Sequence, residues 1–303
     1  MPNPTLSSDL PPLDPWDGVD AVALIELEPA GDDRFTNRRS EVGPWDHLYG
    51  GQVLAQALAA ATATAPGREV HSLHSYYLRA GSASGRVSFQ VERTRDGARF
   101  STRRVVASQG GKSIFQLDCS LRVPGLTAYD RQIAMPADIP APETLRDFKQ
   151  LKVDYADKLG TNGVWRLGLF PLIEARLIDP DMLNERSPVA RRMMWVRVPG
   201  AAASDDPTIH AILLAYLSDH WLGGTALVTE EPSLHHDGPL VSSLDHSIWF
   251  HRPARVDNWL LYDMESPSAS GATGFARGLL FDRSGRLIAS VAQESLLQTP
   301  PKA

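Results

Sequence analysis

One arrangement of segments occurs twice in this sequence, and it limits the fold more than any single motif does. An Ala-rich run of helical character, "GGQVLAQALAAATA" (50–63), is followed by the strand-like segments "VHSLHSYYLRAG", "RVSFQVERTRDG", "ARFSTRRVVASQGG" and "KSIFQLDCSLRV". The same order returns as "IHAILLAYLSDHWLGGTAL" (209–227), then "SSLDHSIWFHRPA", "NWLLYDMESPSASG", "ATGFARGLLFDRSG" and "RLIASVAQESLLQ". Turn signals such as Arg95-Asp96-Gly97, Gly110-Gly111 and Asp282-Arg283-Ser284-Gly285 separate the strands. A helix followed by about four long strands, made twice, predicts an α+β layer arrangement in tandem. The length of 303 residues also exceeds what one hydrophobic core ordinarily serves. We therefore expect a flexible lead-in at 1–18, a first unit at 19–123, an irregular connection at 124–190 and a second unit at 191–303. The connection holds "MPADIPAPE" and short helix-like pieces such as "LRDFKQLKVDYADKL".

Composition narrows the partners. With 36 acidic and 30 basic residues the net charge is -6, which offers a phosphate backbone no attraction, so nucleic acid is excluded as a partner. The single cysteine, Cys119, excludes an internal disulfide framework and a thiolate-rich metal site, and it fits a reducing compartment. The N-terminal "MPNPTLSSDLPPLDPWDG" has neither the basic start nor the apolar run of a signal peptide, and no window approaches the roughly 18 apolar residues of a membrane span. A soluble cytoplasmic protein is the expectation, and the terminal "TPPKA" carries no Ser-Lys-Leu address.

Within the second helical run one residue is out of place. Ile209, Ile212, Leu213, Tyr216 and Leu217 form an apolar stripe, and Asp219, three residues beyond Tyr216, continues it. Asp205 or Asp206 can cap a helix opening at Pro207, and Gly223-Gly224 can close it. Asp219 then lies near the C-terminal end, where the helix dipole disfavours negative charge. Burying it unpaired costs several kcal/mol, so the site must supply donors or raise its pKa, and both suit a general base. The blander reading is a helix that frays after Ser218, with Asp219 capping a turn or pairing with a surface arginine. Gln293 raises the same question on a strand: it follows Leu287, Ala289 and Val291 on one alternating face, where a buried amide needs partners. It either meets such partners or marks a rim where the face turns wet.

The segments "GGQVLAQAL", "HSYYLRAG", "STRRVVASQGGKSIFQ", "LAYLSD", "SLDHSIWFHRP" and "ASVAQESLL" resemble, in this order, the acyl-CoA thioesterase II family, over nearly the whole chain from Phe35 to Leu297. The resemblance implies a tandem, or double, hotdog fold. It implies hydrolysis of acyl-CoA thioesters by an activated water with no metal or organic cofactor, and association into a homo-oligomer. It assigns the base to Asp219 and the water-holding groups to Gln293 and Ser243. Only the resemblance selects Ser243 over Ser242, since hydroxyls at strand starts commonly just bond to backbone. Gly50 and Gly51 are candidates for admitting the substrate carbonyl to helix N–H groups, or else serve only helix start and packing. Arg38, Arg39, Arg252 and Arg277 are candidates for the CoA phosphates.

Other constellations do not assemble. His246 and His251 fall on opposite strand faces, and no Gly-x-Ser-x-Gly elbow occurs, so a Ser-His-Asp triad is unsupported. Sliding the last strands together through Gly111 and Gly285 sets Cys119 opposite Gln293, and no acidic residue lies between His47 and Arg68, so the first unit lacks two of the three polar groups. Cys119 reads as a small buried side chain. The alternatives are a hotdog enoyl-CoA hydratase or dehydratase and a non-catalytic acyl-CoA binding protein. Against the hydratase, the only histidine expected near Asp219 is His220, its helix neighbour facing another way.

Overall fold

Residues alternate in "KSIFQLDCSLR" so that Leu117, Cys119 and Leu121 face inward while Gln116, Asp118 and Ser120 face outward, and this pattern repeats through the long strands. The computed structural model describes residues 12–41, 46–156, 171–232 and 240–298. Among the described residues the α-helices are α1 (Ala21–Ile25), α2 (Gly50–Ala63), α3 (Phe148–Asp154) and α4 (Pro207–Ser218). In the first half the strands are β1 (Leu27–Pro29), β2 (Arg34–Asn37), β3 (Glu69–Tyr77), β4 (Ser88–Asp96), β5 (Phe100–Gln109) and β6 (Lys112–Arg122). In the second they are β7 (Glu174–Leu177), β8 (Arg191–Arg197), β9 (Leu240–Ser243), β10 (Asp245–Phe250), β11 (Leu260–Ser270), β12 (Thr273–Asp282) and β13 (Leu287–Gln298).

All of them join one antiparallel sheet in the order β1-β2-β4-β5-β6-β3-β10-β13-β12-β11-β8-β7, with β9 pairing β13 off this path. Read outward from the centre, β3, β6, β5, β4, β2, β1 mirror β10, β13, β12, β11, β8, β7. Each half therefore orders its strands identically, and the two halves meet where β3 pairs β10, Leu73 opposite Ile248. This is the tandem α+β arrangement expected from the repeat, in the double-hotdog form that the resemblance implies. β3 to β6 and β10 to β13, which follow the two long helices, match the sequence pattern, whereas β1, β2, β7 and β8, which precede those helices, were not marked by it.

Both long helices lie on the inner side of the sheet and against each other, and their residues share one apolar core with inner-face residues of both halves. α2 is buried along almost its whole length because the sheet takes one side and α4 the other. α4 is likewise buried nearly all round from Ile212 to Ser218, rather than along a single stripe. Part of the connection covers the outer face. Met135, Ile139 and Leu145 pack on Trp195, Trp259, Leu261, Phe281 and Leu287, and the Trp195 indole donates to Pro140 O at 2.8 Å. No helix among the described residues is long and apolar enough to cross a membrane.

Candidate active site

α4 starts as its sequence dictates. The Asp206 carboxylate accepts from the Thr208 amide at 2.8 Å, and Pro207 occupies the first position. Its end differs from expectation: the helix stops at Ser218, Asp219 is the C-cap, and Trp221 turns the chain out at φ 63°. Gly223 serves close approach instead, since a Cβ there would meet Ser295 Oγ at 2.3 Å. Ending early does not release Asp219 to solvent; it is 9% exposed.

The carboxylate is held by the two side chains anticipated for it. Gln293 Nε2 donates to Asp219 Oδ1 at 2.9 Å and to Ser243 Oγ at 2.5 Å, and Ser243 Oγ donates to the same Oδ1 at 3.2 Å. Gln293 is 1% exposed and shares the inner face with Ala289 and Val291. Leu287 does not share it. A register irregularity between β12 and the start of β13 turns Leu287 into the outer cluster. Ser243 arrives by a second irregularity. Its partner is Ser295, but Ser247 pairs Ala292, so pairing slips by one residue across Leu244. That slip turns Ser243 inward, although strict alternation from the buried His246 sets it outward with Asp245 and Ser247.

Opposite the trio lies the start of α2. A Cβ on Gly50 would stand 2.8 Å from Asp219 Oδ2 and 3.1 Å from the Tyr77 ring, so the missing side chain leaves room for the carboxylate. A Cβ on Gly51 would stand 2.5 Å from Tyr216 O, so this glycine lets α2 cross α4 closely. α2 opens at Tyr49 without a side-chain cap, leaving its first amides to other partners. Burial holds the hydroxyls of Tyr49, Tyr77, Tyr216 and Tyr262 well above the usual tyrosine pKa, and the Asp219 charge adds to it in each. Burial also raises the Glu41 carboxyl, opposed by the hydrogen bond it accepts from Tyr216 at 2.6 Å.

The expectation that no histidine beyond His220 approaches Asp219 is overturned. His220 stacks on Tyr49 with ring centroids 4.3 Å apart, while the fully buried His246 places Nδ1 3.9 Å from Asp219 Oδ1. His246 Nε2 lies 2.9 Å from Ser218 Oγ. The sequence carried its burial but not its partner: His246 alternates with Ile248 and Phe250, the buried set of β10. His251 is on the other face, bonded to Ser290 at 2.8 Å.

The candidate arginines are not gathered at this point. Arg38 pairs with Asp14 at 3.0 Å, and Arg39 with Glu26 at 3.0 Å. Arg252 contacts Asp130 and Leu287 O and lines a pocket with Pro207 and Thr208, at the far end of a helix about 18 Å long. Arg277 projects from the outer face to Glu265 at 2.7 Å. Among the described residues no His/Cys/Asp/Glu group is arranged to hold a metal ion.

In the first half the matching helix end is closed by a cation. Thr64 caps α2, and the buried Arg103 donates to Thr64 Oγ1 at 2.8 Å, Thr64 O at 3.1 Å and Asp96 at 2.8 Å. Cys119 is buried, and burial pushes its thiol up to about 12.

Comparison with known proteins places the chain in a family of this fold. Residues 180–296 match the family described as acyl-CoA thioesterase, and residues 39–122 match the acyl-CoA thioesterase N-terminal domain. The chain is 37% identical to acyl-coenzyme A thioesterase 8 of Rattus norvegicus, over 93% of this chain and 89% of that one. It is 34% identical to acyl-CoA thioesterase 2 of Haemophilus influenzae, covering 91% and 96%. The solved acyl-CoA thioesterase II TesB2 of Mycobacterium marinum superimposes with a TM-score of 0.74 at 34% identity, covering 93% and 99%. Repeat, sheet order and sequence relatives agree: the chain belongs to the acyl-CoA thioesterase II family of double-hotdog thioester hydrolases.

Proposed function

We propose that this protein hydrolyses acyl-CoA thioesters to a carboxylic acid and CoA, with Asp219 as general base, Ser243 and Gln293 as the groups that fix carboxylate and water, and no cofactor. The observation that carries this reading is the convergence of Gln293 Nε2 and Ser243 Oγ on Asp219 Oδ1 in a nearly dry pocket, with Oδ2 turned toward Gly50. A water bound to Oδ2 would lie at the opening of α2, beside Gly50. Asp219 takes its proton as the oxygen attacks the thioester carbon. The carbonyl oxygen gathers negative charge and is met by the first amides of α2, where the helix dipole favours it. When the C–S bond breaks, the proton held by Asp219 passes to the thiolate, and the base is restored.

The test is thiol release from a panel of acyl-CoAs. Asp219→Asn should lose about 10²- to 10⁴-fold in kcat while still binding substrate; unchanged turnover removes Asp219 from the mechanism.

His246 beside Asp219 brings the pair of residue types used by hotdog hydratases. Its Nδ1 is buried and its Nε2 is turned to Ser218, so neither nitrogen faces a substrate. Loss of enoyl absorbance from an enoyl-CoA without thiol release would favour the hydratase reading. Cytoplasmic location and assembly as a homo-oligomer through the sheets belong to the same proposal.

A further inference from the structure

His246 is the buried ionisable group beside the site that the mechanism leaves unused. Two buried polar atoms there have no partner with hydrogen-bond geometry, His246 Nδ1 and Gln293 Oε1. Burial holds the imidazole below its ordinary pKa, outweighing the Asp219 charge and the Gln293 amide, so the ring is neutral and carries a single hydrogen. Which nitrogen bears that hydrogen follows from Ser218. Its Oγ lies 2.9 Å from Ala215 O and 2.9 Å from His246 Nε2, and one hydroxyl hydrogen can serve only one of them. If it went to Ala215, Nε2 would carry the ring hydrogen. Nδ1 would then be a bare lone pair facing the Asp219 oxygen 3.9 Å away and a carbonyl oxygen with no donor. Acceptors so placed repel in a site without bulk water. If Ser218 donates to Nε2, Nδ1 bears the hydrogen and the conflict vanishes.

We propose that His246 is a positioning residue of the hydrolytic site, its Nδ1–H held by Ser218 and directed at Gln293 Oε1 and Asp219, so that the amide keeps its NH2 end on the base. A flipped Gln293 would present its oxygen to the carboxylate and withdraw both of the amide's donations. The proposal rests on Asp219 being the base.

Two substitutions separate this role from packing. His246→Asn keeps an N–H donor near the position of Nδ1, whereas His246→Leu fills similar space with none. In His246→Leu we expect kcat to fall about 10²-fold with KM little changed. The acid limb of kcat/KM should move up by about 1 pH unit, because a carboxylate that loses a donor holds its proton to higher pH. In His246→Asn the limb should stay, with kcat within about tenfold of wild type. The groups facing the pair are Asp219 itself, Asp245, Tyr77, Tyr49 and Tyr262, with Glu41 acting through Tyr216. The tyrosines stay neutral across this range, and both variants remove the imidazole's own titration, so a limb that moves only in His246→Leu reports the lost N–H donor. Equal losses in both variants with an unmoved limb would make the role structural, and wild-type rates in His246→Leu would also overturn it. Should His246→Leu fail to fold, Ser218→Ala should move the limb in the same direction by less, and an unmoved limb there counts against the proposal. Turnover retained by Asp219→Asn would sink the base assignment itself, whereas a dead Asp219→Asn beside an unaffected His246→Leu would sink only this one.

Discussion

A carboxylate at the C-cap of a helix is unfavourable twice, once for leaving water and once for meeting the negative end of the dipole. Asp219 offsets both through the donors on its Oδ1, so removing one should be felt in stability as well as rate. Gln293→Leu should destabilise the protein by about 1 to 3 kcal/mol at neutral pH, read from the denaturant midpoint, because a charged acceptor stays buried with fewer partners. An unchanged midpoint would mean that water replaces the amide at no cost. Cys119 stands at the register position of Gln293 in the other half and has no such role. With its thiol pushed up to about 12 inside the core, it should resist iodoacetamide in the native protein and react after unfolding, as mass spectrometry can follow. Alternation put Gln293 on the face of Ala289 and Val291 but left a wet rim open as the other reading, and burial decides it. Ser243 was not, because the slip at Leu244 reverses its face and nothing in the local residue types announces that slip.

At the level of elements, the site exists because α2 and α4 cross where two glycines remove the side chains between them. The two positions should respond differently to a methyl group. In Gly51→Ala the new carbon meets the rigid Tyr216 backbone, and thermal melts should show a loss of about 1 to 3 kcal/mol. In Gly50→Ala it meets the Asp219 carboxylate and the Tyr77 ring, so thiol release should fall much more than stability does. Similar effects of both on stability and rate would show that Gly50 is only a packing residue. The ends of the two helices explain why the halves are not interchangeable. α4 ends in a carboxylate that needs donors, whereas α2 ends in Thr64 and receives a guanidinium from Arg103, the charge its dipole prefers.

Across the whole molecule, acid should loosen the fold before ordinary carboxylates titrate. Burial holds the imidazoles of His220 and His246 below their ordinary value of 6.5. Above that pH both states are neutral; below it the unfolded chain takes up protons that the folded chain refuses, and stability falls by up to about 1.4 kcal/mol per pH unit for each group. The buried Glu41 works the other way, since its raised carboxyl is easier to accommodate once protonated. Melting temperature should therefore fall between about pH 7 and about pH 5, and fall more steeply in Glu41→Gln, where the opposing group is gone. A flat profile would place these histidines in contact with water.

What the chain determined by itself was its periodicity. Two sets of strand alternation, each behind an apolar helix, set a helix-and-sheet layer twice over; the family resemblance, not the periodicity, gave it the form of a tandem hotdog. A carboxylate and an amide interrupting apolar faces marked Asp219 and Gln293, because local pattern reports burial. Tertiary structure alone decided which face Ser243 takes, that His246 meets Asp219, and that the helix stops before its glycines. Those outcomes depend on a one-residue slip between strands and on the crossing of helices far apart in sequence, and a periodic pattern carries no information about either.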